Sequence, residues 1–206
     1  MGVQERRVRE KQELRQEILD AARELFITEG FESVSMRKLA EKIEYSPTTI
    51  YLHFQDKADL LDCVCEETLR KLETRLAAIH ETTPDPLARL RQGLRAYIDF
   101  GLEYPNDYRV AFLLEFKPFA EAERCPRCRT KGQQVFDHMR DAVGECVRTG
   151  VFGRHDVEAS SQALWAAAHG LASLLILHPR FPWVDQAALV DMLIETAIAG
   201  LKSRAD

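Results

Sequence analysis

The side chains best suited to a defined chemistry stand together in the run Ser46-Pro47-Thr48-Thr49-Ile50-Tyr51-Leu52-His53-Phe54. Serine followed by proline is a helix start: the hydroxyl caps unpaired backbone N–H groups, and proline has no N–H to lose at the first helical position. A helix from Pro47 to about His53 buries Ile50 together with Leu52 or Phe54, and leaves Thr48, Thr49, Tyr51 and His53 outside. Hydroxyls of this kind bond phosphates or base edges, a threonine methyl can meet a thymine methyl, and the N–H groups at the helix start favour a phosphate. Tyr51 has a plain alternative, packing on the preceding helix. Ser35 and Ser46 are caps before they are anything else.

Two other groupings could do chemistry. Cys125-Pro-Arg-Cys128 lies in a polar, basic stretch with Arg124, Arg127, Arg129 and Lys131, which could lower the thiol pKa values for a redox switch or supply half of a zinc site. The rest of a metal site is missing nearby, so two idle surface cysteines are the simpler reading, and no metal or cofactor is expected. Trp165 and His169 stand four apart on one helical face, beside Gly170, which would let another helix approach closely. Enzyme signatures are missing: there is no phosphate-cradling glycine loop, nucleophile elbow or His-Glu-x-x-His, and no strand framework to carry them. A non-enzymatic protein is therefore expected. The competing readings are a helical small-molecule-binding protein or enzyme with its site in the C-terminal half, a helical interaction scaffold, and a redox-responsive regulator using Cys125 and Cys128.

The elements that must position these residues read as helices throughout. Leu14, Ile18, Ala21, Ala22, Leu25 and Phe26 recur at helical spacing and end at Gly30, a natural C-cap. Ser35 caps a short helix to Ile43, and the 47–53 helix follows. Asp56 then caps a long amphipathic helix from Lys57 to about His80. Thr82 to Pro86 is a break, followed by expected helices at 86–103, 106–117, 131–149, 156–178 and 184–203, with the polar stretch 118–130 as a loop. An all-α chain follows, with no convincing strand and no internal repeat.

Composition sets outer limits. The chain has 206 residues, is 46% hydrophobic and 30% charged, and carries a net charge of −5, which by itself argues against a polyanionic partner. Whole-chain charge is a weak test for a two-domain protein, but the local balance from Ser33 to Lys57 is also only faintly basic: Arg37, Lys38, Lys42 and Lys57 against Glu41, Glu44 and Asp56. The first fifteen residues are mildly basic and expected to fray. No apolar run reaches a membrane span, Leu171–Leu177 being the best candidate, and the charged N-terminus does not resemble a secretion signal. A cytoplasmic protein with reduced cysteines is the expectation.

Residues 14–61 resemble the DNA-binding domain of the TetR/AcrR family of bacterial regulators. The resemblance rests on Ile18–Phe26, Gly30-Phe31, Met36–Ala40 and above all Ile50-Tyr51-Leu-His-Phe54-Gln-Asp-Lys57-Ala-Asp-Leu60-Leu61. The sequence departs from the family's usual Ala-Gly-Val-Ser turn, having Ile43-Glu44-Tyr45-Ser46; a left-handed Glu44 would cost about 1 kcal/mol. Leu164–Leu171 is similar to a Trp-x-x-x-His-Gly element of one subgroup of the family. The resemblance implies a three-helix helix-turn-helix DNA-binding domain over residues 1–56 (ordered from 11), and a helical-bundle ligand-binding and dimerisation domain over 57–206. It further implies DNA contacts from Ser35, Arg37, Pro47, Thr48, Thr49, Tyr51, His53 and Lys57, and pairing of the last two helices in a homodimer on a near-palindromic double-stranded operator. The expected action is repression, relieved by a small, largely apolar effector. Its pocket would draw on Tyr97, Phe100, Tyr104, Tyr108, Phe112, Phe136, Trp165 and His169, with Phe116 nearby, although aromatics at helical spacing are more often plain core and a lone histidine on an apolar face is usually a satisfied core residue.

Overall fold

The computed structural model describes residues 2–113 and 126–202. Among them the elements run α1 (Val3–Glu29), a 3₁₀ turn (Phe31–Ser33), α2 (Met36–Lys42), α3 (Pro47–Tyr51), α4 (Lys57–Thr82), α5 (Pro86–Glu103), α6 (Pro105–Tyr108) continued by a π-helical stretch (Arg109–Leu113), α7 (Pro126–Arg148), α8 (Val157–Leu177) and α9 (Gln186–Ala199). No strand occurs among the described residues, and the only bridge is an isolated antiparallel pairing of Phe152 with Lys202. The starts obey capping chemistry. Ser35, Ser46, Asp85, Asp156 and Asp185 each accept a backbone N–H three residues on, and Asp56 does the same for Asp59 at 2.8 Å.

The chain divides into two compact units, Met1–Thr68 with Asn106–Thr130, and Leu69–Pro105 with Lys131–Asp206. The first turns of α4 bury Leu60, Leu61 and Val64 in the same core as Ile18, Ala22, Phe26, Leu39, Ile50 and Phe54, and Val110 joins them. Burial drives the grouping: a cluster of apolar positions in the first two turns of α4 could not be left in water.

The first unit also holds a nearly buried ionic cluster. Arg23 of α1 stands 2.6 Å from Asp107 of α6, 3.2 Å from Glu67 of α4 and 2.5 Å from Asp20, and Thr68 donates to Asp107 at 3.4 Å. The Arg23–Asp107 approach is an ionic contact rather than an aligned hydrogen bond. A guanidinium so shielded needs its carboxylates, because a buried charge without a partner costs far more than the pair returns.

The second unit packs α5 against α8 and α9. Leu90, Leu94, Ile98, Leu164, Ala168, Leu171, Ala172, Leu175, Val190, Ile194 and Ile198 are buried. Arg91 forks onto Glu195 at 2.6 and 3.0 Å, and Arg95 pairs with Asp191, so α9 is held along two turns. By length and composition α8 as a whole is apolar enough to cross a membrane, with mean hydropathy 1.2. It exceeds the Leu171–Leu177 run because alanines from Ala163 to Ala168 extend the apolar stretch. It buries one face against both α5 and α9.

Three boundaries differ from expectation. α3 stops at Tyr51 because the His53 N–H turns to the Ile50 carbonyl at 2.9 Å, a tightened last turn. The expected helix at 106–117 opens into the π-helical stretch, and residues 114–117, with Phe116, lie outside the described residues. α7 starts at Pro126, inside the stretch expected as a loop. Asp62 of α4 accepts from Arg127 Nε at 2.9 Å and from the Cys128 N–H at 3.1 Å, so a tertiary carboxylate starts a helix that its polar sequence does not advertise. Asp107→Asn is expected to lower unfolding stability by about 1.5–3 kcal/mol, the range for a hydrogen-bonded charge, read by urea unfolding.

Candidate nucleic-acid interface

α2 and α3 form two short helices joined by a tight turn. The turn is a Schellman closure: the Tyr45 N–H reaches the Ala40 carbonyl at 3.0 Å and the Glu44 N–H reaches that of Glu41 at 3.4 Å, with Glu44 at φ 59°. Glu44 thus occupies the left-handed position where glycine is at ease. Ile50 and Phe54, four apart, are both buried and seat α3 on the core. Ala40, fully buried on α2, has only a methyl, so α3 crosses it closely.

The opposite face of α3 is open. Thr48 is exposed, Tyr51 is 55% exposed and Leu52 is 74% exposed. Thr49 is half-buried, its hydroxyl 2.9 Å from that of the capping Ser46. Pro47 is exposed at the first turn. Of the two candidates to share burial with Ile50, Phe54 is taken and Leu52 is left outside, and the i,i+4 spacing was the available signal. His53 is half-buried, and its Nδ1 has no hydrogen-bond partner among the described residues. Burial first, then the charges of Lys11 and Arg15, hold its pKa below the ordinary 6.5, so its ring is neutral at pH 7.

The cations of this region are largely engaged. Arg37 pairs with Glu41 at 3.0 Å on a fully exposed helix face, Lys38 with Glu29, and Lys42 with Glu24 at 2.9 Å. Such surface pairs are worth little and yield to a competing anion. Lys57 donates to the carbonyls of Phe31 at 2.7 Å and Glu32 at 3.4 Å and lies 4.3 Å from the Phe31 ring centroid, tying the 3₁₀ turn to the start of α4.

In the second unit Tyr97, Phe136, Trp165 and His169 come together. Trp165 Nε1 donates to the Tyr97 hydroxyl at 3.2 Å, that hydroxyl lies 3.1 Å from His169 Nδ1, and His169 Nε2 lies 3.4 Å from the Ser173 hydroxyl. A neutral imidazole protonated on Nε2 satisfies the whole chain, since the tyrosine then accepts from Trp165 and donates to Nδ1. Phe136 meets the Trp165 ring edge-on at 6.2 Å. Phe100 and Tyr104 form a second group, their rings tilted at 43° with centroids 5.3 Å apart beneath the Arg75 guanidinium, which Glu103 holds at 2.6 Å. Tyr108 and Phe112, 4.8 Å apart, belong to the first unit. A Cβ on Gly170 would meet nothing within 4 Å, so the close helix approach expected there is not made among the described residues. Cys125 lies outside the described residues, and Cys128 is half-buried against the first unit's core. No group of three or more potential metal ligands occurs among the described residues.

Residues 18–64 match the bacterial regulatory proteins of the tetR family, and residues 90–197, more than half of the chain, match the Tetracyclin repressor-like C-terminal domain. The chain belongs to the TetR family. It is 26% identical over 199 residues to the probable HTH-type transcriptional regulator ArpR of Pseudomonas putida, covering 94% of this chain and 93% of ArpR. It is also 29% identical over 102 residues to the HTH-type transcriptional activator FasR of Mycolicibacterium smegmatis, 50% of this chain and 47% of FasR, so that match spans about half of each protein. The fold is shared with the transcriptional regulator FadR from Bacillus subtilis, solved in complex with stearoyl-CoA, at TM-score 0.78 and 18% identity over 90% of this chain and 98% of that one. TetR-family proteins are DNA-binding transcriptional regulators, mostly repressors with ligand-binding C-terminal domains, and this chain is such a regulator.

Two outcomes are expected in this TetR-family protein. Glu44→Gly should relieve the left-handed strain at a small cost in unfolded-chain entropy, a net gain of about 0.5–1 kcal/mol and a rise in melting temperature of about 2–4 °C per kcal/mol. His169, whose pKa burial lowers from 6.5, binds fewer protons folded than unfolded. Its contribution is therefore constant at and above pH 7.5, and stability falls as pH drops from 6.5 through the folded pKa. An NMR titration should place the His169 midpoint below 6.5; a midpoint above it would contradict the burial argument.

Proposed function

We propose that this regulator is a homodimeric repressor that lays two copies of α3 in successive major grooves of a near-palindromic operator, acting in the cytoplasm. Residues 1–56 then serve as the DNA-binding head and 57–206 as the sensing and dimerising body. The observation that carries the reading is the face of α3: Tyr51 and Leu52 stand in water beside Thr48 on a helix rigidly seated by Ile50 and Phe54. Large apolar side chains held in solvent on a rigid helix fit contact with thymine methyls and sugars, while Thr48, Thr49 and Tyr51 hydroxyls bond base edges or phosphates. Ser35, Arg37 and His53 flank that face, and Lys57, with three donors, has one to offer a phosphate beside its two carbonyl bonds.

Dimerisation through α8 and α9 is supported by an apolar stripe on α8 and an exposed methionine on α9. On α8, Ala163, Ala166, Gly170, Leu174 and Leu177 share a face, Leu174 being 47% and Leu177 50% exposed. On α9, Ala188, Met192 and Ala199 share a face with Glu195, whose carboxylate is turned to Arg91 of α5, and Met192 is 68% exposed. Helices with small residues and bare leucines on one stripe bury it against a second copy in a four-helix bundle, and paired half-sites require the same two-fold symmetry.

The effector we infer is a small, mostly apolar molecule that meets the Tyr97, Phe136, Trp165 and His169 group, with the hydrogen-bonded Tyr97–His169 pair as polar anchor. Phe100, Tyr104, Tyr108 and Phe112 are less direct candidates, being grouped elsewhere. Binding would act through α4 and release the operator only by the ligand's unequal affinity for the DNA-bound and free states. The protein is not expected to turn the effector over.

Selection of bound duplexes from random-sequence DNA should return a two-fold-symmetric site. On that duplex Thr48→Ala and Tyr51→Ala should each weaken binding about tenfold or more, within the roughly 1–3 kcal/mol typical of a specific base contact. Leu174→Glu with Met192→Glu should give a monomer by sedimentation and lose the paired-site affinity. Selection of an asymmetric site, or a wild-type protein that sediments as a monomer at micromolar concentration, would overturn the groove-spacing argument.

A further inference from the structure

The cations of the helix-turn-helix are tied to Glu41, Glu29, Glu24 and backbone carbonyls, so any further positive charge for a polyanion must come from outside it. The first turns of α1 supply it. Expected to fray, they are helical from Val3, and residues 4–13 are exposed.

One face of these turns carries cations alone. Arg6 pairs with Glu10 at 2.7 Å and Arg9 with Glu13 at 3.7 Å, which consumes four charges in two i,i+4 bridges. Arg7, Lys11 and Arg15 remain, four apart, on a stripe about 80° wide. Among the described residues Arg7 and Lys11 have no ion pair. This is the stripe that, farther along, buries Ile18, Ala22 and Leu25. The inward face of α1 therefore changes from apolar to cationic where the helix runs past the core. Glu13, Glu17, Asp20 and Glu24 occupy the other side, about 200° around, where they line an open depression with Lys42. Arg6 and Arg9 also fall on that side, each beside its glutamate, so its signs are mixed, whereas the Arg7–Arg15 stripe carries cations alone.

The cationic stripe is anchored beside α3. The Arg15 guanidinium covers the Phe54 ring at 4.8 Å and donates to Cys63 Sγ of α4 at 3.3 Å, fixing the arm's direction at the α3–α4 junction. Lys11 and Arg15 are also near enough for their charge to depress the protonation of His53, at the end of the α3 face. From Arg15 the helix carries Lys11 about 6 Å and Arg7 about 12 Å farther out.

We propose that Arg7 and Lys11 form a cationic arm that grips DNA phosphates flanking the base pairs contacted by α3. The partner is the sugar-phosphate backbone of the same duplex outside the half-site, and the inference rests on the DNA-binding reading of α3. The arm adds affinity and salt dependence without sequence information, as phosphate contacts do. It also supplies the positive charge that the net composition of the head conceals.

The test uses the full chain and a duplex selected from random sequence by the wild-type protein, in its shortest retained form and lengthened by half a helical turn at each end. Arg7→Gln with Lys11→Gln should flatten the slope of log K against log salt by about 0.9 for each phosphate no longer neutralised, up to about 3.6 for two cations in each of two protomers. The lengthened duplex should lose its advantage over the short one, while the ratio of selected to scrambled binding stays at the wild-type value. Glu17→Gln, on the opposite face, should leave the slope unchanged. An unchanged slope in the double variant overturns the arm, as does a fall in the selected-to-scrambled ratio, which would mean that these residues act on α3 itself. Failure of the α3 reading is separate: it would show as no selected sequence with the wild-type protein, or as Tyr51→Ala binding like wild type.

Discussion

A helix of five residues does not persist in water on its own hydrogen bonds, because nucleation costs more than so short a run can recover. α3 holds its shape because Ile50 and Phe54 are sunk into a core made by α1, α2 and the start of α4, while Ser46 caps its first turn. Everything read as function on that helix depends on this burial. It fixes which face is outward, keeps Tyr51 and Leu52 in solvent where they would otherwise collapse inward, and turns a short polar segment into a rigid probe. The same core takes in Leu60, Leu61 and Val64, so the helix that leaves the head is part of what holds it.

Charge is organised around this core rather than spread over it. The apparent contradiction between a net charge of −5 and a polyanionic partner resolves locally. Acids neutralise the α2 cations and crowd one side of α1, while the unpaired cations of α1 line the side continuous with the buried stripe. Inside the unit, Arg23 binds carboxylates from three elements, joining α1, α4 and α6 through one guanidinium. An apolar contact tolerates sliding, whereas a desolvated ion cluster has few arrangements in which every partner is met, so it sets register as well as attraction.

The second unit shows the complementary arrangement. Its core is mainly aliphatic with Phe100 and Phe152 buried in it, α9 is pinned by paired arginines from α5, and polar groups form a hydrogen-bonded chain from Trp165 through Tyr97 and His169 to Ser173. What it leaves unburied is equally specific, namely a small and apolar stripe on α8 and Met192 on α9. Among the described residues of one protomer, no further element covers them.

Caps, helical spacing and the Tyr51–Leu61 run were readable in the chain, because each depends on neighbours within a few residues. The same local rules placed α1 through α5, α8 and α9, named the left-handed strain at Glu44, put Thr48 and Tyr51 on the exposed side of α3, and carried the family resemblance. Tertiary structure alone decided the rest. It chose Phe54 over Leu52 for burial and started α7 inside the expected loop through the Asp62 carboxylate. It packed the first turns of α4 into the core of α1 and α2, and it brought Trp165, Tyr97 and His169 into one hydrogen-bonded chain. The reason is common to all four: periodicity tells which residues share a face, but only the arrival of distant elements determines what that face meets. The opening fifteen residues make the point most plainly, since their cationic stripe is written in the sequence and its meaning appears only when Arg15 is found over the Phe54 ring.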